Sequence, residues 1–207
     1  MKLLVFFTSF LFYITSTYAQ IIAVTQGGDE VVLYDDGTWS YVGEPESSEI
    51  PTNSKKFKKD KDSSFQIKSA NVDFGFWINP KEWTFKKGLT NDDAEFELTL
   101  KNEDLYGMII TEKIEIPLEA LGNIAVENAR AVAPDVRIVE QEFRNVNGLD
   151  VLFLQMDGTT QGIKFSYYSY YYSNESGTVQ FVTYTAQNLL DSYREKCEKL
   201  LNGMVEM

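Results

Sequence analysis

The chain has 207 residues, 43% hydrophobic and 24% charged, with a formal net charge of −12. Its 14 Phe and 12 Tyr supply enough apolar mass for a sizeable core, so wholesale disorder is excluded. Histidine is absent and Cys197 is the one cysteine, which removes His-based triads, His-ligated metal sites, Cys-pair redox motifs and internal disulfides.

The chain opens with Lys2, an apolar run over residues 3–14, a polar stretch and the small residue Ala19. That is the layout of a secretory signal peptide cut after Ala19. The run is shorter than the roughly 20 apolar residues that span a bilayer, and no cysteine stands at the cleavage point to take a lipid. The expectation is a signal peptide over residues 1–19 and a soluble exported chain, periplasmic or extracellular, with no membrane span after cleavage. Cleavage removes one cation and no anion, leaving a still more acidic protein that phosphate-rich nucleic acid would repel.

Residues 20–43 read as a small β-module. Val31 and Leu33, then Trp39 and Tyr41, alternate with polar residues, while Gly27-Gly28-Asp29 and Asp35-Asp36-Gly37 supply turn chemistry. Three short strands of this kind form a meander too small to be stable alone. Asp36-Gly37-Thr38-Trp39 resembles the "DGTW" signature of a short module near the N-terminus of exported bacterial proteins; the likeness implies an exported location and no chemistry. Residues 44–64 then lose their hydrophobics and carry Pro45, Pro51, Lys55, Lys56, Lys58, Lys59 and Lys61. Such a composition cannot offset its own ordering entropy, so a solvated polar linker is expected, with docking of an acidic partner by the lysines as the alternative.

Residues 65–207 form the main domain. Strands are predicted over 72–78, 95–100, 108–116, 136–146, 149–156, 162–172 and 178–184, with hairpin turns at Asn147-Gly148, Asp157-Gly158 and 174–177. A run of hairpins implies an antiparallel sheet. A first helix starts at Pro117, places Leu118, Leu121, Ala125, Ala129 and Val132 on one face, and stops at Pro134. A second runs over about 186–202, with Thr185 as N-cap and Gly203 as stop. Its apolar stripe includes Leu190, Cys197, Leu200 and Leu201, which makes Cys197 a small core hydrophobe rather than a reactive thiol.

This order of elements resembles the PsbP-like fold over about residues 65–203. The matching features are a strand leading to Asn79-Pro80 and Trp83, a mid-chain helix, the Asn147-Gly148 hairpin, a long strand, and Gly177-Thr178-Val179-Gln180-Phe181 opening a strand that feeds a final amphipathic helix. The resemblance implies an α+β fold, an antiparallel sheet flanked by helices in an α/β/α sandwich. It also implies a non-catalytic role exercised by docking to other proteins. The family's metal-binding histidines have no counterpart in this histidine-free chain.

The tyrosine run is the oddest local feature. On a strand, Phe165, Tyr167 and Tyr171 point to one face and Tyr168, Tyr170 and Tyr172 to the other. The bland expectation is that both sets pack under helices. The sharper one is a ligand surface built from Tyr168, Tyr170 and Tyr172, with Trp77 or Trp83, stacking on sugars or a partner. The acidic clusters Asp35-Asp36, Asn91-Asp92-Asp93 and Glu103-Asp104 match no EF-hand loop and read as turns. Gly27-Gly28 lacks the rest of a phosphate loop, Ser63 and Ser64 lack S-x-x-K spacing to Lys68, and no carboxylate pair sits in a glycosidase motif. No metal and no cofactor is expected. The reading is an exported, non-catalytic protein of the bacterial envelope that docks or scaffolds an envelope protein partner. A carbohydrate or small-ligand module is the alternative, and a carboxylate-based hydrolase ranks last.

Overall fold

A computed structural model describes residues 21–25, 30–33, 39–41, 50–88 and 93–207. Two compact units divide the chain, Met1–Glu49 and Ile50–Met207. The expected signal peptide, the turns expected at Gly27-Gly28 and Asp35-Asp36-Gly37 and the stretch 44–49 of the expected linker lie outside the described residues.

In the first unit, β1 (Ile21–Val24), β2 (Glu30–Leu33) and β3 (Trp39–Tyr41) form the expected antiparallel meander, in the order β1-β2-β3. Register pairs Ala23 with Val31 and Val31 with Tyr41. Val31 is buried, while Ile21, Ile22 and Val24 stay exposed, as befits a sheet too small to own a core.

The second unit opens with β4 (Thr52–Phe57), which corrects the linker reading. Ile50 onward belongs to this unit, and β4 pairs in parallel with β10 (Arg137–Val146) at the sheet edge. Composition misled because an edge strand needs few apolar residues: Lys55 and Lys56 keep it soluble, as lysines commonly do on sheet edges. Phe57 anchors it at 4% exposure, and the Asn53 amide donates to Glu142 at 2.9 Å.

The remaining elements are β5 (Phe65–Lys68), β6 (Phe74–Ile78), β7 (Trp83–Lys87), β8 (Ala94–Leu100), β9 (Leu105–Glu112) and α1 (Leu118–Val132). After β10 come β11 (Leu149–Thr160), β12 (Ile163–Asn174), β13 (Gly177–Ala186), a single 3₁₀ turn (Gln187–Leu189), α2 (Leu190–Leu201) and β14 (Met204–Glu206). The main sheet has eight strands in the order β4-β10-β11-β12-β13-β9-β8-β7, antiparallel except at β4–β10. A second sheet, β14-β6-β5, packs with α2 on one face of it; α1 packs on the other. The fold class is therefore α+β, a largely antiparallel sheet between helical layers with an N-terminal meander, as the sequence predicts.

Three local readings need correction. Asn147-Gly148 does make the expected two-residue turn, with φ of 53° and 95°, and Val146 pairs with Leu149. Asp157-Gly158, however, lies inside β11, and the chain reverses at Gln161-Gly162, with φ of 50° and 79°. Asp157 is used within the strand instead, accepting from the Ser166 hydroxyl at 2.6 Å and the Gln187 amide at 2.5 Å. Thr185 is no helix cap: it remains in β13, paired with Leu105, and its hydroxyl donates to the Asp104 carbonyl at 2.6 Å. Val132 is 65% exposed, because at 100° per residue the stripe of Gly122, Val126 and Ala129 continues through Ala133 instead. Cys197 is fully buried as expected, and burial pushes its thiol up to about 11.

Candidate functional site

Alternation along β12 splits the tyrosines between faces as the pleat requires. Tyr168 and Tyr170 join the core under α2, and Tyr171 joins the core under α1. The proposed ligand surface does not survive this placement. Tyr168 is 1% exposed and Tyr170 0%, and Trp83 is buried at 4% in the same core. Tyr172 is half-buried against the Phe74 ring, 5.2 Å between centroids. Trp77, also half-buried, has the Lys59 ammonium 5.1 Å above its ring. The five residues form no common surface, because a second layer, α2 with β5, β6 and β14, lies over the strand face that carries the three tyrosines.

What holds Tyr168 and Tyr170 is Arg144, an interior residue of β10 that is 4% exposed. Its guanidinium lies 3.6 Å from the Phe153 ring centroid and 4.9 Å from that of Phe57. It donates to the Tyr168 and Tyr170 hydroxyls at 3.1 and 3.3 Å and to Glu142 at 2.5 Å. Those hydroxyls in turn donate to Glu198 at 3.0 Å and Asn202 at 3.1 Å, both contributed by the α2 segment. Burial pushes the Tyr170 phenol up to about 12 and raises that of Tyr168 as well, though Arg144 opposes the shift in both. Each polar group in this network has a partner, so its role is to join β10, β12 and α2 rather than to receive a ligand.

The other face is built differently. A helix with its side chains is about 10 Å wide and strands lie about 4.8 Å apart, so one helix covers about two strands. Helix α1 lies over β11 and β12, where Leu121 and Ala125 pack with Leu152 and Leu154. Beyond it, β13 and β9 present Val182 and Gln180, then Met108 and Ile110, to a groove of about 760 Å³. Asn128, Ala131 and Val132 of α1 form its wall. That volume is within the range of small-ligand and peptide sites. Asp93 and Glu112 are the charged groups among the described residues lining it, and no lysine or arginine is among them.

Beside Val182 the same sheet face carries an aromatic ladder. Tyr106 stacks on Tyr184, 5.4 Å between centroids and 24° between planes, and Tyr167 meets Tyr184 edge-on at 6.2 Å. Phe165 meets Tyr167 at 4.9 Å. The rings thus spend faces on one another. Burial, then the Glu97 carboxylate, raises the pKa of Tyr184. Sequence reading missed this groove. The alternation of Met108, Ile110 and Glu112 was visible, but which strands the helix leaves uncovered was not. Among the described residues, no group of three or more Asp, Glu or Cys could hold a metal ion.

No protein-family model matches the chain, and no curated protein does either. Among solved structures, cyanobacterial PsbP from Synechocystis is similar, at 12% identity over 69% of this chain and 92% of that one, with a TM-score of 0.52. A Pseudomonas aeruginosa protein of unknown function matches at 10% identity over 69% and 96% of the two chains, with a TM-score of 0.44. A protein involved in cell envelope biogenesis of Mycobacterium tuberculosis matches at 7% identity over 68% and 88%, with a TM-score of 0.45. At these identities the first likeness shows the fold, which is PsbP-like, and the other two carry no argument.

Proposed function

We propose that the chain is an exported, non-catalytic docking protein of the bacterial envelope, and that the groove beside α1 is its contact surface. The observation that carries the reading is the groove beside α1, where half-buried Met108 and Ile110 and the buried Val182 form an apolar lining that, among the described residues, this helix does not fill. Apolar surface gathered in one concavity and edged by polar groups is characteristic of interaction sites. The signal-peptide layout of residues 1–19 supports export, and no helix among the described residues is long and apolar enough to cross a membrane. The glycan reading loses Tyr168 and Tyr170 to the core, and the Tyr106–Tyr184 ladder has its ring faces stacked on each other.

The test is photo-crosslinking in intact cells producing the full chain. A benzophenone side chain at Asn128, on the groove wall, is expected to give a discrete adduct, and one at Glu119, in the exposed first turn of α1, none. Equal adducts from both positions, or none from either, would remove the groove as a docking site. Mass spectrometry of the purified product tests export, with Gln20 expected as the first residue.

A further inference from the structure

Strand spacing leaves room for a second helix beside α1. Helix α1 sits over the β11–β12 pair, and the groove runs from Met156, Tyr167 and Tyr171 of that pair out to the β13–β9 pair, two strand spacings away in the sheet order. Two spacings are about 10 Å, and packed helices lie about 8–10 Å apart. A second helix laid beside α1 would therefore touch both the sheet and α1 at ordinary packing distances. The wall it would meet is low: Ala125 and Ala129 lie at the foot of α1, with Ala131 and Val132 above. The floor is Met108, Ile110 and Val182, and methionine adapts to varied partners. Charge narrows the occupant further. Glu112 ends β9, and Asp93 immediately precedes β8, whose Ala94 pairs with Ile110, so both carboxylates lie at the same end of the groove.

Resting on the docking reading above, we propose that the occupant is an amphipathic α-helix of a partner protein, its apolar stripe on β13 and β9 and its basic residues beside Glu112 and Asp93. This is helix-in-groove recognition, in which residues at i, i+3, i+4 and i+7 provide the anchors. The carboxylate end selects the sign of the partner's charge.

The experiment uses the mature chain with its methionine methyls labelled for NMR. Met108 and Met156 line the groove, whereas Met204 is in the opposite core and Met207 is at the C-terminus, so they serve as internal controls. The probe is a synthetic Leu/Lys peptide with leucines at helical spacing, matched to the 15 residues of α1. It is expected to shift the Met108 and Met156 methyls and leave Met204 and Met207 in place. Ala131→Trp, at an exposed position on the wall, should weaken binding at least about tenfold by filling the space. Glu112→Gln should weaken it about two- to fivefold, as for a surface ion pair, and Glu119→Gln should leave it unchanged. A Leu/Glu peptide that binds equally well overturns the charge assignment, and a Leu/Lys peptide with a central Pro-Pro that binds equally well overturns the helix. Binding insensitive to Ala131→Trp overturns the site. If the Asn128 crosslink persists in cells while the peptides leave both groove methyls unmoved, docking stands and the helical occupant falls; loss of that crosslink removes docking itself.

Discussion

The two faces of the main sheet carry similar residues and do opposite things. On the α2 face, Tyr168 and Tyr170 sit under a complete second layer, and their hydroxyls close a network through Arg144, Glu142, Glu198 and Asn202. On the α1 face, Tyr167 of the same strand and Tyr184 of its neighbour β13 stay partly exposed beside a groove, because one helix covers only part of the sheet. An aromatic residue on a strand is thus committed to core or surface by what lies across from it, not by its own chemistry. The first face maintains the fold, and the second is left available.

That contrast can be broken most severely with alkali. The phenols of Tyr168, Tyr170 and Tyr171 are all raised by burial, Tyr170 to about 12, whereas unfolded tyrosine ionises near 10. Above pH 10 the unfolded chain releases protons that the folded chain retains, so the stability these groups contribute is intact below pH 10 and is lost as pH climbs toward 12. Phenolate absorbance of the buried set should therefore rise together with loss of near-UV circular dichroism. Ionisation of every tyrosine near pH 10 with the dichroism intact would place them at the surface.

Arg144→Ala is the next largest effect. It leaves Glu142 without its guanidinium, strips two buried hydroxyls of a donor and opens space against Phe153, and should cost about 3–5 kcal/mol in urea unfolding. A loss below about 1 kcal/mol would show that the network is not structural. Removing single hydroxyls sharpens the comparison between faces. Tyr168→Phe severs bonds to Arg144 and Glu198 and should cost about 1–3 kcal/mol, while Tyr184→Phe on the open face should stay within about 0.5 kcal/mol. Equal costs would erase the distinction. Smallest of all, Val132→Ser on the groove wall should leave the thermal midpoint within about a degree or two, since that side chain is largely exposed already.

Much of this fold was legible without coordinates, and the failures have physical causes. Period-two alternation located β6, β8 and β10 to β13, because one or both faces of each are buried and the pleat imposes the pattern. The helices were found for the same reason at their own period. The edges β4 and β7 went unseen: with a neighbour on one side only and lysines along them, they carry little apolar signal. The Asp157-Gly158 turn was misplaced because a local dipeptide preference yields to register, and the sheet continues to Thr160 before reversing.

By itself, the sequence determined the α+β class, the division of the β12 tyrosines between two faces, the burial of Cys197 and the chemistries that a histidine-free chain lacks. Each of these follows from residue type or from a period of two or 3.6, which neighbours along the chain impose. Which tyrosine face is core, that Arg144 is what joins it to α2, and that Met108 and Ile110 of β9 stay half-buried in a groove beside α1 emerge only when the layers pack. Those outcomes depend on residues far apart in the chain, Arg144 and Glu198 or Val132 and Met108, meeting across layers. Local periodicity says which side of a strand a residue faces, but not what waits there.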